Sequence, residues 1–260
     1  MRRLIGLFLL IQFVCSCDSI KRGTEFLFNR YRISTPSMSP TLNVGDRVAV
    51  VSVDTLKRNQ IVAFYPPDKY DPNEEKAIWL SRLVALPGEE AQMNKGKLMI
   101  NGNPYPFKLN LKNEYLVTTS MPLDEKRMAD FEFQNLGQNQ YRFFASIDEL
   151  AAVRKNGAVL NIEERISNYD MNVVFGESVD EWGPVRLPKS GDVILVSEAN
   201  LKMVMALAEF ENLTDIQIQQ EIKVSHDYFL VISDNRHNAL DGRYLGLIPR
   251  GNIVGIALTK

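Results

Sequence analysis

The sequence predicts a mainly β fold, with an antiparallel β core of the barrel or sandwich kind, an inserted α/β lobe and a few short helices. Short apolar or alternating runs recur along the chain, and Gly, Pro, Asn and Asp separate them. The dipeptide Asn101-Gly102 is typical of a two-residue hairpin turn, because both positions accept a positive φ. A chain of 260 residues suits one large domain or a core with a second lobe inserted into it.

Seven runs predict the strands of this fold, since each is short, rich in β-branched or aromatic residues and bounded by turn formers. They are RVAVVSV from Arg47, QIVAFY from Gln60, IWLSRLVALPG from Ile78, KLMINGNPY from Lys97, GDVILV from Gly191, DYFLVISD from Asp227 and GNIVGIAL from Gly251.

Three helices are expected in the second half of the chain. Ser146 followed by Glu149 is a capping box, and that helix should stop at Gly157. Apolar residues at helical spacing predict a second helix over 199–212. Thr214 would cap a third helix that runs to about Ile222.

The chain divides into four expected segments. Residues 1–17 form an export signal or a short anchor, residues 18–104 and 181–260 are the two parts of the β core, and residues 105–180 form the inserted lobe. The inserted lobe is expected to lie mostly at the surface.

The N-terminus has the pattern of an export signal, with Arg2 and Arg3 before an apolar run that ends near Val14. At about 1.5 Å per residue this run is short for a hydrocarbon layer of about 30 Å. The sequence VCSC resembles the bacterial lipoprotein cleavage box, in which Cys17 would carry the lipid. A lipoprotein and an uncleaved short anchor are the two alternatives, and both place the body outside the cytoplasm, on its periplasmic or extracellular face, with membrane lipid as a partner.

Composition excludes several classes of function. The chain has 30 Lys and Arg against 32 Asp and Glu without a long run of one sign, which gives nucleic-acid binding no electrostatic support. Both cysteines lie at the end of the apolar run, and there are two histidines in all. The sequence therefore predicts neither a metal site nor a cofactor in the body.

The stretch STPSMSPTL, residues 34–42, is the first candidate for chemistry. A serine attacks a carbonyl only when a base takes its proton and fixed donors stabilise the oxyanion. Pro36 and Pro40 stiffen the loop and could hold Ser37 in one exposed geometry. The alternative is a stiff polar connection between an anchor and the first strand.

Four blocks, in this order, resemble the type I signal peptidases, and the resemblance covers most of residues 33–258. The blocks are SMSPTLNVGDRVAV (37–50), IVAFYPP (61–67), WLSRLVALPGEE (79–90) and SDNRHNALDGRYLGLIP (233–249). The resemblance implies a membrane-associated serine endopeptidase that cuts signal peptides from exported proteins after small residues, with a Ser nucleophile and a Lys base. It makes Ser37 the nucleophile and Thr35 a support for the oxyanion.

The chain departs from this family at the general base. Family members carry Lys before the Arg of the third block, whereas Ser81 stands here, and Ala239 replaces the serine that orients the lysine. A serine hydroxyl cannot act as a base near neutral pH. His237, with an ordinary pKa near 6.5, is the best substitute in the chain, although a surface histidine is the simpler interpretation.

Charged residues of the last block are expected to brace the loops beneath the site. Charge-assisted pairs are expected among Asp234, Arg236, Asp241 and Arg243, and the resemblance implies that Arg82 is the partner of Asp234. Gly242 stands where the family has a serine.

Three hypotheses follow for the function. The first is a peptidase in which an unrecognised base assists Ser37, and the second is a catalytically silent relative that binds extended segments of exported chains. The third is an unrelated secreted sandwich with a stiff loop.

Overall fold

A computed structural model describes residues 29–72, 77–105, 109–126, 128–167, 170 and 172–259. The predicted signal or anchor segment, with Cys17, lies outside these residues. Within them, no helix has the length and apolar character needed to cross a bilayer.

Eighteen strands dominate the described residues, so the prediction of a mainly β fold is confirmed. In chain order they are β1 (Asn29–Arg32), β2 (Arg47–Val51), β3 (Ile61–Phe64), β4 (Trp79–Ala85), β5 (Glu90–Asn94), β6 (Lys97–Ile100), β7 (Asn103–Pro104), β8 (Asn113–Thr119), β9 (Glu132–Gly137), β10 (Gln140–Ala145), β11 (Val159–Glu164), β12 (Gly176–Ser178), β13 (Glu181–Arg186), β14 (Val193–Leu195), β15 (Glu221–Lys223), β16 (Tyr228–Ile232), β17 (Ile248–Pro249) and β18 (Ile253–Leu258). The helices are α1 (Ile147–Arg154), α2 (Leu201–Glu211) and α3 (Gly242–Leu245), and three 3-10 turns cover Pro36–Met38, Asp68–Tyr70 and Arg250–Asn252.

The strands form four antiparallel sheets. The largest has the order β1-β2-β18-β3-β4-β16-β17, and a five-stranded sheet has the order β12-β13-β5-β6-β7. A four-stranded sheet has the order β11-β8-β10-β9, and β14 pairs with β15. All seven predicted strand runs contain a strand of these sheets, since the turn formers between them end each run.

The seven-stranded sheet is covered on both faces at its centre. All four residues of β3 are buried, because Val62 and Phe64 pack into one apolar cluster while Ile61 and Ala63 pack into the other. A strand buried on both faces has a continuous apolar sequence, as β3 does. The centre of this sheet is therefore a rigid support for the residues of β4 beside it.

The four-stranded sheet β8–β11 has an apolar cluster of its own, built around Val117, Tyr141 and Phe143 and covered by α1. The predicted capping box begins that helix: Ser146 Oγ accepts from the amide of Glu149, and the Glu149 carboxylate accepts from the amide of Ser146. The sheet falls within residues 105–180, and we retain the inserted lobe as our interpretation of that segment.

The hairpin turn predicted at Asn101 and Gly102 joins β6 to β7, with φ values of 52° and 73°. Both are positive, as a type I′ turn requires.

The third predicted helix, from Thr214, is wrong. Residues 213–220 form turns and lead into β15. The reason is pairing with the other strand of the small sheet: the amide of Val196 donates to Gln220, and the amide of Gln219 donates back to Val196. Tertiary pairing of this kind overrides a weak local preference for helix.

Candidate active site

Ser37 lies in the 3-10 turn Pro36–Met38, near the surface of the seven-stranded sheet. Met38 is 1% exposed and packs with Ile33, Leu42 and Leu80, so the apolar residue beside Ser37 fixes the turn to the sheet. The turn lies against β4. Ser37 itself is half-buried and Thr35 is exposed.

The hydroxyl of Ser37 contacts the hydroxyl of Thr35, with 3.0 Å between Oγ and Oγ1. Among the described residues this is the one side-chain hydrogen bond of Ser37. The Thr35 hydroxyl can donate a hydrogen bond to a developing oxyanion. It cannot take the proton of Ser37, because a neutral threonine is not a base.

The segment that follows β16 holds the backbone on both sides of Ser37. The amide of Asn235 donates to the carbonyl oxygen of Ser37 at 2.9 Å, and its side-chain Nδ2 donates to the carbonyl oxygen of Pro36 at 3.3 Å. Asn235 is fully buried. The position of the turn is therefore set by a residue some two hundred positions later in the chain.

Ser81 lies on β4, is 1% exposed, and meets Ser233 at the end of β16, with 2.9 Å between the two Oγ atoms. Adjacent residues of a strand point to opposite faces, and Ser81 and Arg82 accordingly meet Ser233 and Asp234 on opposite faces of the paired strands. At the position where the resemblance implies a lysine, Ser81 and Ser233 are hydrogen-bonded to each other.

Arg82 and Asp234 form a buried ion pair with two parallel contacts. Arg82 Nε donates to Asp234 Oδ1 at 2.7 Å, and Nη2 donates to Oδ2. Thr41 donates its hydroxyl to the same carboxylate, and Arg82 Nη1 donates to the carbonyl oxygen of Asn59 at 2.6 Å. This pair joins the loop after Ser37 to both strands beneath it.

Asp241 and Arg243 form a second buried pair at the start of α3. Asp241 caps the helix by accepting from the amide of Arg243, and its carboxylate also accepts from the guanidinium and from the amide of Ser233 at 2.9 Å. Burial and the neighbouring Arg243 lower the pKa of Arg236 to about 10, so this guanidinium remains charged near neutral pH. Buried charged side chains, among them Asp241, Arg243 and Arg236, therefore stabilise the loop between β16 and α3.

The two other positions at which the sequence predicts a departure are Ala239, in this loop, and Gly242, at the start of α3. Ala239 is half-buried and has no hydroxyl to offer. At Gly242, a Cβ atom would lie 2.6 Å from the carbonyl oxygen of Val231 and 2.9 Å from Leu230 Cδ1. The backbone of α3 thus approaches β16 more closely than any side chain at this position would permit.

His237 is close to Asp180, with 3.7 Å between Nε2 and Oδ2, and its side chain is 11% exposed. The interpretation as a surface histidine is therefore wrong. No hydrogen bond joins it to Ser37 within the part of the chain that the structure describes. Burial lowers the pKa of His237, while the Asp180 carboxylate opposes this shift.

We expect this histidine to make the protein sensitive to acid. Its pKa in the folded state lies below the ordinary 6.5, so the unfolded chain binds the proton more readily. The free energy of unfolding should therefore fall as the pH decreases below about 6.5, by at most about 1.4 kcal/mol per pH unit for one proton. Urea unfolding at pH 7.5 and 5.5 measures this difference.

The variant His237→Gln should lose part of that acid sensitivity, because it removes the ring whose pKa burial lowers. An equal pH dependence in His237→Gln and in the wild-type protein would contradict the assignment.

Three residues that contact this site were not identified from the sequence. The hydroxyl of Ser233, the side chain of Asn235 and the backbone of Lys112, which exchanges hydrogen bonds with 234 and 236, all depend on tertiary contacts. Ser233 and Asn235 lie inside a recognised block, and the alternation of side chains along β16 was the signal that could have placed Ser233 opposite Ser81.

Comparisons with known proteins agree on one family. A family model described as "Signal peptidase, peptidase S26" matches residues 7–259. The chain is 24% identical over 257 residues to a signal peptidase I of Buchnera aphidicola subsp. Schizaphis graminum, covering 90% of this chain and 67% of that protein. It is 30% identical over 140 residues to a signal peptidase I of Bacillus licheniformis, covering 50% of this chain and 72% of that protein. Signal peptidase I T of Bacillus subtilis is 30% identical over 160 residues, with 58% and 76% covered.

Proposed function

Because the chain belongs to the signal peptidase family, peptidase S26, we propose that it binds signal peptides of exported proteins beside Ser37 and cleaves them very slowly or not at all. The observation that carries this proposal is the buried pair of Ser81 and Ser233, which occupies the place of the general base. Neither hydroxyl ionises near neutral pH, so neither can accept the proton of Ser37.

A free strand edge supports the binding of an extended peptide. β16 pairs with β4 from Arg82 onwards and Ser81 contacts Ser233, whereas Trp79 and Leu80, both half-buried, pair with β3 alone among the described residues. The turn that carries Ser37 lies against this strand. A peptide added to this edge would form backbone hydrogen bonds with β4 beside the turn.

An active peptidase is the second candidate, and the contact between the hydroxyls of Ser37 and Thr35 favours it, since a hydroxyl beside the nucleophile would be near an oxyanion formed there. It would need a base from His237, from a residue outside the described ranges or from another protein. Removal of one member of a nucleophile and base pair commonly lowers the rate by several powers of ten.

The two candidates are separated by binding and cleavage assays on the full chain in detergent. The probe is a synthetic signal peptide with an apolar leucine segment and Ala-X-Ala at its end, and its control has bulky residues in place of the alanines. We expect the wild type and Ser37→Ala to bind the probe with dissociation constants within about threefold of each other and to yield no product that depends on Ser37.

Product formed by the wild type and absent with Ser37→Ala would reject the silent relative in favour of the peptidase. Equal or absent binding of the probe and its control would contradict both.

We further propose that the N-terminal segment holds the chain at a membrane with the body outside the cytoplasm. The lipid at Cys17 and the uncleaved anchor remain the two alternatives for that attachment. The intact mass of the membrane-extracted chain distinguishes them, because lipidation at Cys17 removes residues 1–16.

A further inference from the structure

Lys112 connects the four-stranded sheet to the loop that holds Ser37. It comes directly before β8, and its amide donates to the carbonyl oxygen of Asp234 at 3.0 Å. Its carbonyl oxygen accepts from the amide of Arg236 at 2.9 Å. The two segments thus form an isolated parallel bridge between Lys112 and Asn235.

The amine of Lys112 is buried between two carboxylates. Lys112 is 7% exposed, and its Nζ lies 3.1 Å from Glu149 Oε1 and 3.7 Å from Glu132 Oε2. A buried ammonium requires such partners, because it loses its hydration. Glu149 belongs to the capping box of α1 and Glu132 begins β9, so the amine fixes both elements to the bridge.

Glu132 also contacts the loop after β16. Its carboxylate accepts from Asn238 Nδ2 at 2.6 Å and from Asn235 Nδ2 at 3.4 Å. The same Nδ2 of Asn235 donates to the carbonyl oxygen of Pro36. One amide group is therefore shared between the four-stranded sheet and the turn of Ser37.

We propose that Lys112 and Glu132 are positioning residues that act through Asn235 on the peptide units before and after Ser37. The buried amine holds the carboxylate, the carboxylate orients the amide of Asn235, and that residue holds the carbonyl oxygens of Pro36 and Ser37. The conformation of the four-stranded sheet thereby sets the geometry of the Ser37 turn.

The contacts of the amine distinguish this role from that of a general base. Lys112 Nζ faces two carboxylates, and no hydrogen bond joins it to Ser37 within the described residues. Lys112 therefore acts on the backbone of the turn and not on its hydroxyl.

Hydrogen exchange of the full chain tests the proposal without any ligand. Lys112→Met keeps the aliphatic stem and removes the charge, and Glu132→Ala removes the acceptor. Each is expected to speed exchange of the amide of Asn235, which donates to Ser37, by about tenfold while amides of β3 keep their wild-type protection. Lys112→Arg should restore most of the protection.

Arg142→Met is the matched control, because Arg142 Nε pairs with Glu114 Oε1 at 3.1 Å on the same sheet and its ion pair does not involve the loop after β16. It should leave the amide of Asn235 unchanged. If Lys112→Met unfolds the whole chain, Glu132→Ala decides. Unchanged exchange at Asn235 in Glu132→Ala, or equal acceleration in Arg142→Met, would overturn the proposal.

One readout rests on the proposed function. Lys112→Met should weaken binding of the Ala-X-Ala probe by about three- to tenfold, because the peptide edge borders a less ordered turn. Failure of the wild type to bind the probe would reject the proposed function and leave the exchange result standing. If Lys112→Met alters exchange at Asn235 but not the affinity for the probe, then Lys112 affects the Ser37 turn and not the binding of the peptide.

Discussion

Replacement of Ser81 by Lys, Ala239 by Ser and Ser233 by Gly is expected to raise cleavage of a signal peptide by at least about three powers of ten. Ser81 contacts Ser233, and the carbonyl oxygen of Ser37 accepts from the amide of Asn235. Residues 233 and 235 are two positions apart, which is roughly 6–7 Å along an extended chain. A lysine side chain spans about 6 Å and could bring an amine to the hydroxyl of Ser37.

Ser233→Gly is part of this design, because the hydroxyl of Ser233 contacts Ser81 and lies where the longer lysine side chain would extend. Burial lowers the pKa of a lysine amine and makes it a base near neutral pH. Steady-state cleavage, measured by mass spectrometry, compares the triple variant with the wild type. Ser81→Lys alone should gain less activity and lose stability, since it would crowd Ser233.

The control adds Ser37→Ala to the triple variant and should abolish the gain. If the triple variant cleaves no faster than the wild type, or cleaves equally without Ser37, then Ser37 and Ser81 do not form the two sides of one catalytic site.

Loss of the Arg82 guanidinium should destabilise the protein by about 3–5 kcal/mol, because it leaves a buried carboxylate without its main partner. Asp234 is fully buried, and Arg82 is 4% exposed. The variant Arg82→Met preserves much of the volume of the side chain while removing its charge and its donors. Urea unfolding at neutral pH measures the change in the free energy of unfolding.

Arg58→Met is the matched control, since Arg58 also makes two contacts with a carboxylate, that of Glu89, but its side chain is 39% exposed. Solvent screens that pair, and its loss should cost about 1 kcal/mol or less. Losses of similar size in the two variants would show that burial of the Arg82 pair contributes little.

The elements that could be predicted from the sequence depend on local chemistry. The hairpin turn follows from the φ preference of Asn101 and Gly102, and α1 follows from the reciprocal hydrogen bonds of Ser146 and Glu149. The strand runs needed only apolar patterning and turn formers. The third helix failed because backbone pairing with Val196 lies outside any local window.

The sequence predicts a contact of the site where a buried charged residue of one block has a residue of opposite charge as its expected partner in another block. The resemblance implies Arg82 as the partner of Asp234, and the structure shows that pair. Ser37 is expected in a loop stiffened by prolines, and it lies in a 3-10 turn that begins at Pro36. The bridge from Lys112 to Asn235 joins residues more than a hundred positions apart, and nothing in the composition around Lys112 distinguishes it from a solvated lysine. Contacts of this kind follow from the packing of one sheet against another segment.

The close approach of α3 to β16 at Gly242 restricts the side chains that this position can hold. Any replacement there must push the short helix away from the carbonyl oxygen of Val231, and the helix begins at Asp241, whose carboxylate is committed to Arg243 and Ser233. A serine at this position would bring its Cβ atom to 2.6 Å from the carbonyl oxygen of Val231, so its hydroxyl could be accommodated only if the backbone moved. Any attempt to add a polar side chain at position 242 therefore requires a compensating shift of α3 away from β16.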